Sequence, residues 1–256
     1  MHPKIAVSAP LFSMLPLDEM LGRIEKEFSI WEFISEGNCR LIEIKDRLKE
    51  FMENSKLRFS VHGPISDINI GSLNPAMRKA SKKELVENIK IASELGIGPL
   101  TLHIGFLSPL TILYPDKTRA LTRASLKTID ALATEHGVKI GVENMPRTKW
   151  SVFVEPWELV QATDGMDLGL CFDIGHANIT GNIDEFMPLA DRFVNIHIHD
   201  NRGKWDEHLI LGKGNIDLQK LVKKLKGKYK GNWVLECNKL DEGVVSQRTL
   251  VKWLKA

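Results

Sequence analysis

Cysteine is scarce. Cys39, Cys171 and Cys237 are the only three in 256 residues, too few and too unevenly spaced for a disulfide framework or a CxxC zinc site. Long hydrophobic runs are missing as well: none reaches the roughly 18–20 apolar residues of a membrane-spanning helix, so no membrane partner is expected. The opening segment, MHPKIAVSAPLFSM, has neither the cationic lead nor the long apolar stretch of a secretory signal, and a cytoplasmic location is expected. Charge of one sign is not in excess. With 35 Lys and Arg against 33 Asp and Glu the net charge is +2, which excludes a nucleic-acid coat protein held by bulk charge but not a local basic patch. No Pro/Gly/Ser-rich linker or compositional break divides the chain, so residues 1–256 are expected to form one domain.

What is present is repetition. Eight short apolar runs recur: Ile5–Ala9, Ile30–Ile34, Leu57–Val61, Leu100–Ile104, Lys139–Val142, Leu168–Phe172, Phe193–Ile198 and Trp233–Leu235. Amphipathic stretches separate them. Leu85, Ile89 and Ala92 share a helical face that stops at Gly96, Leu126, Ile129 and Ala133 one that stops at Gly137, and Leu218, Leu221, Val222 and Leu225 repeat the pattern. Strands alternating with helices give a parallel sheet. An eighth of the chain, about 32 residues, accommodates a strand, a helix and two short connections. Eight such units closing on themselves predict an α/β fold, a single (β/α)8 TIM barrel, whose usual length is about 250 residues.

In such barrels chemistry sits at the C-terminal ends of the strands. The residues there are His62, His103, Glu143 with Asn144, Asp173 with His176, His197 with His199 and Asp200, then Asp206 and His208, and finally Glu236. Six of the eight histidines fall on this rim, leaving His2 and His136 elsewhere. A lone histidine after an apolar run is ordinarily a core or capping residue. Imidazoles and carboxylates converging from six consecutive strands are different, because packed carboxylates repel and a divalent cation removes the conflict. Zinc or manganese suits such a donor set.

Residues two apart on a strand face the same side. His197 and His199 are therefore both expected to point inward, one as a ligand and the other behind it or toward substrate. Asp200 is then placed to orient His197, and Asn144 to orient Glu143. Asp206 and His208 lie in a loop long enough to fold over the mouth, with Gly212-Lys213-Gly214 turning it tightly. Without a Rossmann context that glycine pair is not read as nucleotide binding. Cys171 and Cys237 read as core residues.

Together the segments SVHGPISDINIGS, TLHIG, GVEN, GLCFDIGHA, HIHDN, WDEHLILGKGNID and VLE, spread over about 180 residues, resemble the xylose isomerase-like TIM-barrel superfamily. That superfamily includes the endonuclease IV group, apurinic/apyrimidinic endonuclease family 2. Resemblance to endonuclease IV implies three metal ions. His62, His103 and Glu143 would hold one, Glu143 would bridge to a second held with Asp173, His197 and Glu236, and His176, Asp206 and His208 would hold a third. In the sugar isomerases and epimerases of the superfamily the second grouping holds a single ion, with His176 near the substrate. One to three ions per chain are thus implied. The departures lean toward the sugar enzymes. Gly63-Pro64-Ile65-Ser66 stands where endonuclease IV carries a DNA-wedging pair, Met145-Pro146-Arg147-Thr148-Lys149-Trp150 replaces a small Gly-rich turn, and Asp173-Ile174-Gly175-His176 replaces Asp-Thr-Cys-His.

The resemblance implies a sugar or sugar-phosphate isomerase/epimerase working through a metal-stabilised enediolate. Glu143 and Glu236 would be its base–acid pair, the ion would polarise two substrate oxygens, and His176 would bond a hydroxyl. Arg147 or Lys149 could meet a phosphate and Trp150 or Trp205 could wall the sugar, against the plainer readings of solvated loop charge and lid packing. His199 is a further candidate for substrate contact. The alternative is a trinuclear zinc phosphodiesterase cleaving DNA at abasic sites. It accounts for Asp206 and His208, but not for near-neutral charge, since phosphate contacts supply most of the affinity for DNA. The one basic run, Lys220 to Lys230, lies on the helix and loop leading into the last strand, where a solvated face is expected. A metal-dependent scaffold without chemistry is the third reading, and nothing in the sequence favours it.

Overall fold

Eight parallel strands pair in chain order and close on themselves, the first pairing with both the second and the eighth. In the computed structural model, which describes residues 3–256, they are β1 (Ile5–Ser8), β2 (Ile30–Ile34), β3 (Arg58–His62), β4 (Leu100–Leu102), β5 (Ile140–Glu143), β6 (Gly169–Asp173), β7 (Phe193–Ile198) and β8 (Asn232–Glu236). The expected apolar runs are these strands, displaced by a residue or two at their ends. Around them run α1 (Leu17–Glu27), α2 (Leu41–Asn54), α3 (Pro75–Leu95), α4 (Pro115–His136), α5 (Pro156–Ala162), α6 (Ile174–Thr180), α7 (Ile183–Phe186), α8 (Leu218–Leu225) and α9 (Leu240–Lys255). The fold is a single (β/α)8 barrel. His2 lies outside the described residues. Among the described residues, no helix is long and apolar enough to cross a membrane.

Local chemistry explains the punctuation. Asn74 caps α3 by accepting from the amide of Ala76 at 2.9 Å, Pro75 opens the helix, and Gly96 closes it in the left-handed region at φ 65°. The α8 helix buries Leu218, Leu221, Val222 and Leu225 and leaves Lys220, Lys223 and Lys224 in solvent, so the basic run is a solvated face. Between β6 and β7 the short α6 and α7 replace the one long helix of a regular unit.

Strand alternation decides what enters the barrel. On β2, Phe33 packs edge-on with Trp31 and with Phe59 of β3; Phe59 also meets Trp31 at a tilt and Phe51 of α2 edge-on. Glu32, between Trp31 and Phe33, therefore points inward. Barrel interiors are usually filled by branched apolar residues. Here Ser60 donates to Glu32 at 2.8 Å, and Asn195 donates to Glu32 at 2.7 Å and to Thr101 at 2.9 Å. These bonds join β2, β4 and β7, which are not neighbours, so they cross the lumen. All four residues are fully buried. They form a polar floor on which the mouth stands.

Candidate active site

The rim above this floor gathers every ligand candidate. His62 Nε2 lies 3.1 Å and His103 Nε2 2.9 Å from Glu143 Oε2. His197 Nδ1 lies 3.2 Å from Glu143 Oε1, 3.2 Å from Glu236 Oε1 and 3.8 Å from Asp173 Oδ2. The loop after β7 folds back, as its length suggested. Asp206 Oδ2 comes within 3.3 Å of His176 Nε2 and 3.1 Å of His208 Nε2. His199 joins the cluster as a further imidazole, its Nε2 3.4 Å from Asp173 Oδ1 and 3.3 Å from Asp206 Oδ1.

Four sets of these donors are close enough to share an ion: His62, Glu143 and His197; Asp173, His197 and Glu236; Asp173, His176 and His199; and His199, Asp206 and His208. His103 is in none of them, and His199 stands where His176 was expected beside Asp206 and His208. Within this crowd three buried atoms, His103 Nδ1, Asp173 Oδ2 and His199 Nε2, have no hydrogen-bond partner. A buried polar atom left unpaired costs about 1–3 kcal/mol, and a cation held by Asp173 and His199 would offset that cost. The residues present therefore fit a divalent ion, with nitrogen and carboxylate donors of the kind zinc and manganese take.

The charges respond to each other. Burial opposes the charged form of Glu143, but His197 and His103 beside it hold its carboxyl well below the usual range. Glu236 is held low against its burial by His197 and then His208, and Asp206 by its bonds to His176 and His208. Burial would depress His199, yet Asp173, then Asp206 and Glu236, raise it to about 9. His176 is raised for the same reason, chiefly by Asp173 and Asp206. For His103 burial prevails, and its imidazole is pushed down.

Two expected supporting roles belong to other residues. Asp200 does not orient His197. Its carboxylate accepts from the amides of Gly212 at 2.9 Å, Asn201 at 3.0 Å and Ile216 at 3.3 Å, and its backbone pairs with Leu209, so it fastens the returning loop. The Gly212–Gly214 segment turns on that anchor: a Cβ at Gly214 would lie 2.1 Å from Asp200 Oδ1. Asn144 does not bond Glu143. Its side-chain amide bridges the backbone of Asp173, donating at 2.9 Å and accepting at 2.8 Å. The partner of His197 is Glu32, whose Oε1 lies 2.7 Å from Nε2. The strand-end rule passes over Glu32 because it sits at mid-strand. The available signal was a lone carboxylate inside the apolar run Ile30-Trp31-Glu32-Phe33-Ile34.

The loop candidates stand apart from this cluster. Arg147 is ion-paired with Glu155, Lys149 lies 4.7 Å over the Trp150 ring, and Trp205 is 77% exposed. Among the described residues no hydrogen bond or ion pair joins them to the ligand groups. Cys171 and Cys237 are buried in the core, as expected.

Residues 28–256 match the family model of the xylose isomerase-like TIM barrel, and the chain belongs to that family. It is 32% identical to the uncharacterized protein MJ1311 of Methanocaldococcus jannaschii, over 98% of this chain and 89% of that one. It is 24% identical to a probable endonuclease 4 of Mycobacterium leprae, over 69% and 72% of the two chains. Among solved structures, a D-tagatose 3-epimerase-like protein superposes with a TM-score of 0.92 at 31% identity, covering 98% of this chain and 97% of the other.

Proposed function

We propose that this chain is a divalent-metal-dependent epimerase or isomerase of a small sugar or sugar phosphate. The observation that carries the reading is the placement of Glu143 and Glu236. They come from β5 and β8, and each puts a carboxylate oxygen 3.2 Å from the same atom, His197 Nδ1. Asp173, His197, Glu236 and Glu143 would hold the ion. Bound there, zinc or manganese would act as a Lewis acid on two substrate oxygens and offset the charge that builds on them. Both carboxylates are held ionised by the imidazoles around them, so either can take a proton from the carbon beside the substrate carbonyl. With a carboxylate on each side of that carbon, the ionised one would remove the proton, and the other, once it has taken up a proton from solvent, would deliver its own. Return to the opposite face of the same carbon gives epimerisation, and return to the neighbouring carbon gives isomerisation. His176, whose Nε2 lies 3.3 Å from Asp206, would bond a substrate hydroxyl. The likeness to the D-tagatose 3-epimerase-like protein supports a small sugar as substrate. The test is product analysis by NMR after incubating the ion-loaded protein with free and phosphorylated ketoses. A new epimer or aldose that Glu143→Gln and Glu236→Gln both abolish is the expected result.

One observation favours a second reading. Asp206 gathers His176, His199 and His208 into a donor set beyond what one ion needs, which suits a multinuclear phosphodiesterase acting on abasic-site DNA, in line with the names of the endonuclease 4 relatives. Against it, arginines near the mouth already have partners: Arg147 with Glu155, Arg202 with Glu207 and Arg40 with Glu84. Nicking of an abasic duplex by zinc-loaded protein, lost in His208→Ala, would replace the first reading with the second.

A further inference from the structure

We propose that Glu32 is a positioning residue that presents Nδ1 of His197 to the bound ion; this rests on the metal-site reading above. Glu32 stands one layer below the ligands and belongs to none of the donor sets. Its oxygens are fully engaged: Oε2 accepts from Ser60 and Asn195, and Oε1 lies 2.7 Å from His197 Nε2 and 3.5 Å from Thr101 Oγ1. Oε2 is taken up by two donors, which leaves Oε1 as the acceptor facing His197, and the 2.7 Å contact is that of a hydrogen bond donated by Nε2.

The consequence is directional. With Nε2 donating downward, Nδ1 is the nitrogen turned toward Glu143, Glu236 and Asp173, where an ion would take its lone pair in place of a proton. A carboxylate behind an imidazole also makes the ring a stronger donor to a metal. Asn195 donates to Glu32 at 2.7 Å and to Thr101 at 2.9 Å, which ties the carboxylate to two other strands. A residue that merely filled this volume would be apolar, since a buried carboxylate is costly unless its partners need it.

The test is Glu32→Gln, which keeps the shape but replaces one acceptor oxygen by a donor group. Zinc is titrated into wild type and variant while the 15N signals of His197 are followed. In zinc-loaded wild type the spectrum should show a protonated Nε2 and a ligated Nδ1. In the variant, His197 should need about 10–100-fold more zinc, with an unchanged far-UV spectrum and melting transition. A protonated Nδ1 with Nε2 ligated in wild type overturns the proposal. So does an equal zinc requirement in a folded variant. If Glu32→Gln does not fold, the wild-type spectrum decides alone. Wild type that binds no zinc overturns the metal-site reading as well, whereas the other adverse outcomes overturn only the role of Glu32.

Discussion

Asp173 Oδ1 accepts the backbone amide of His176 at 2.6 Å, so the carboxylate placed among the imidazoles is also the N-cap of α6. One side chain serves fold and site, and the two contributions can be separated. Asn caps helices about as well as Asp, while Ala loses roughly 0.5–2 kcal/mol. Asp173→Asn should therefore fold with a melting temperature close to wild type and bind its ion more weakly. Asp173→Ala should lose ion binding and also melt a few degrees lower, at about 2–4 °C per kcal/mol for a chain of this size. Calorimetry with and without zinc checks both.

Ion removal should be visible in stability alone. A ligand present at 100 times its Kd stabilises by about 2.7 kcal/mol, or about 5–10 °C here. Chelation should lower the melting temperature by that order and added zinc or manganese should restore it. An identical melt in chelator and in zinc would contradict the site.

Without an ion, pH should act in opposite directions on the two kinds of group. The pKa of His199 rises on folding from about 6.5 to about 9. Its stabilisation is therefore complete below about pH 6.5 and is lost as pH climbs through 9. Glu236 and Asp206 are depressed on folding. Their stabilisation is present above about pH 4, the unfolded value, and is lost as pH falls below it. Ion-free protein should thus melt highest near pH 5–6.5 and progressively lower toward pH 9. Zinc binding removes imidazole protons and should flatten the alkaline side. A constant melting temperature from pH 6 to 9 without ion would count against this arrangement.

The anchor of the returning loop is open to a small change. Gly214→Ala would set a Cβ 2.1 Å from Asp200 Oδ1 and 2.2 Å from the Asn201 carbonyl. Relief requires moving the loop that carries Asp206 and His208. Overpacking of this kind costs about 1–3 kcal/mol. Limited proteolysis should show earlier cleavage within residues 202–216 of the variant.

The barrel was legible because its strands are buried on both faces and read as apolar runs, and because αL glycines such as Gly96 and Gly137 end the long helices. The cluster of imidazoles and carboxylates at the barrel mouth was legible because strand ends concentrate chemistry and those residue types are distinctive. Supporting contacts were not. Asp200 bonds the backbone amide of Gly212, and Asn144 bonds the backbone of Asp173; a peptide group carries no residue-type signature. Glu32 reaches His197 across the barrel lumen, a proximity that only closure of the sheet creates.

The most direct test of the central claim is proton exchange in heavy water. Manganese- or zinc-loaded protein is incubated with a panel of ketoses in D2O, and the carbon beside the carbonyl is followed by NMR. The account predicts enzyme-dependent deuterium incorporation at that carbon in at least one sugar, reduced about 10²–10⁴-fold in both Glu143→Gln and Glu236→Gln. No incorporation by fully loaded wild type, together with nicking of abasic DNA, would contradict it.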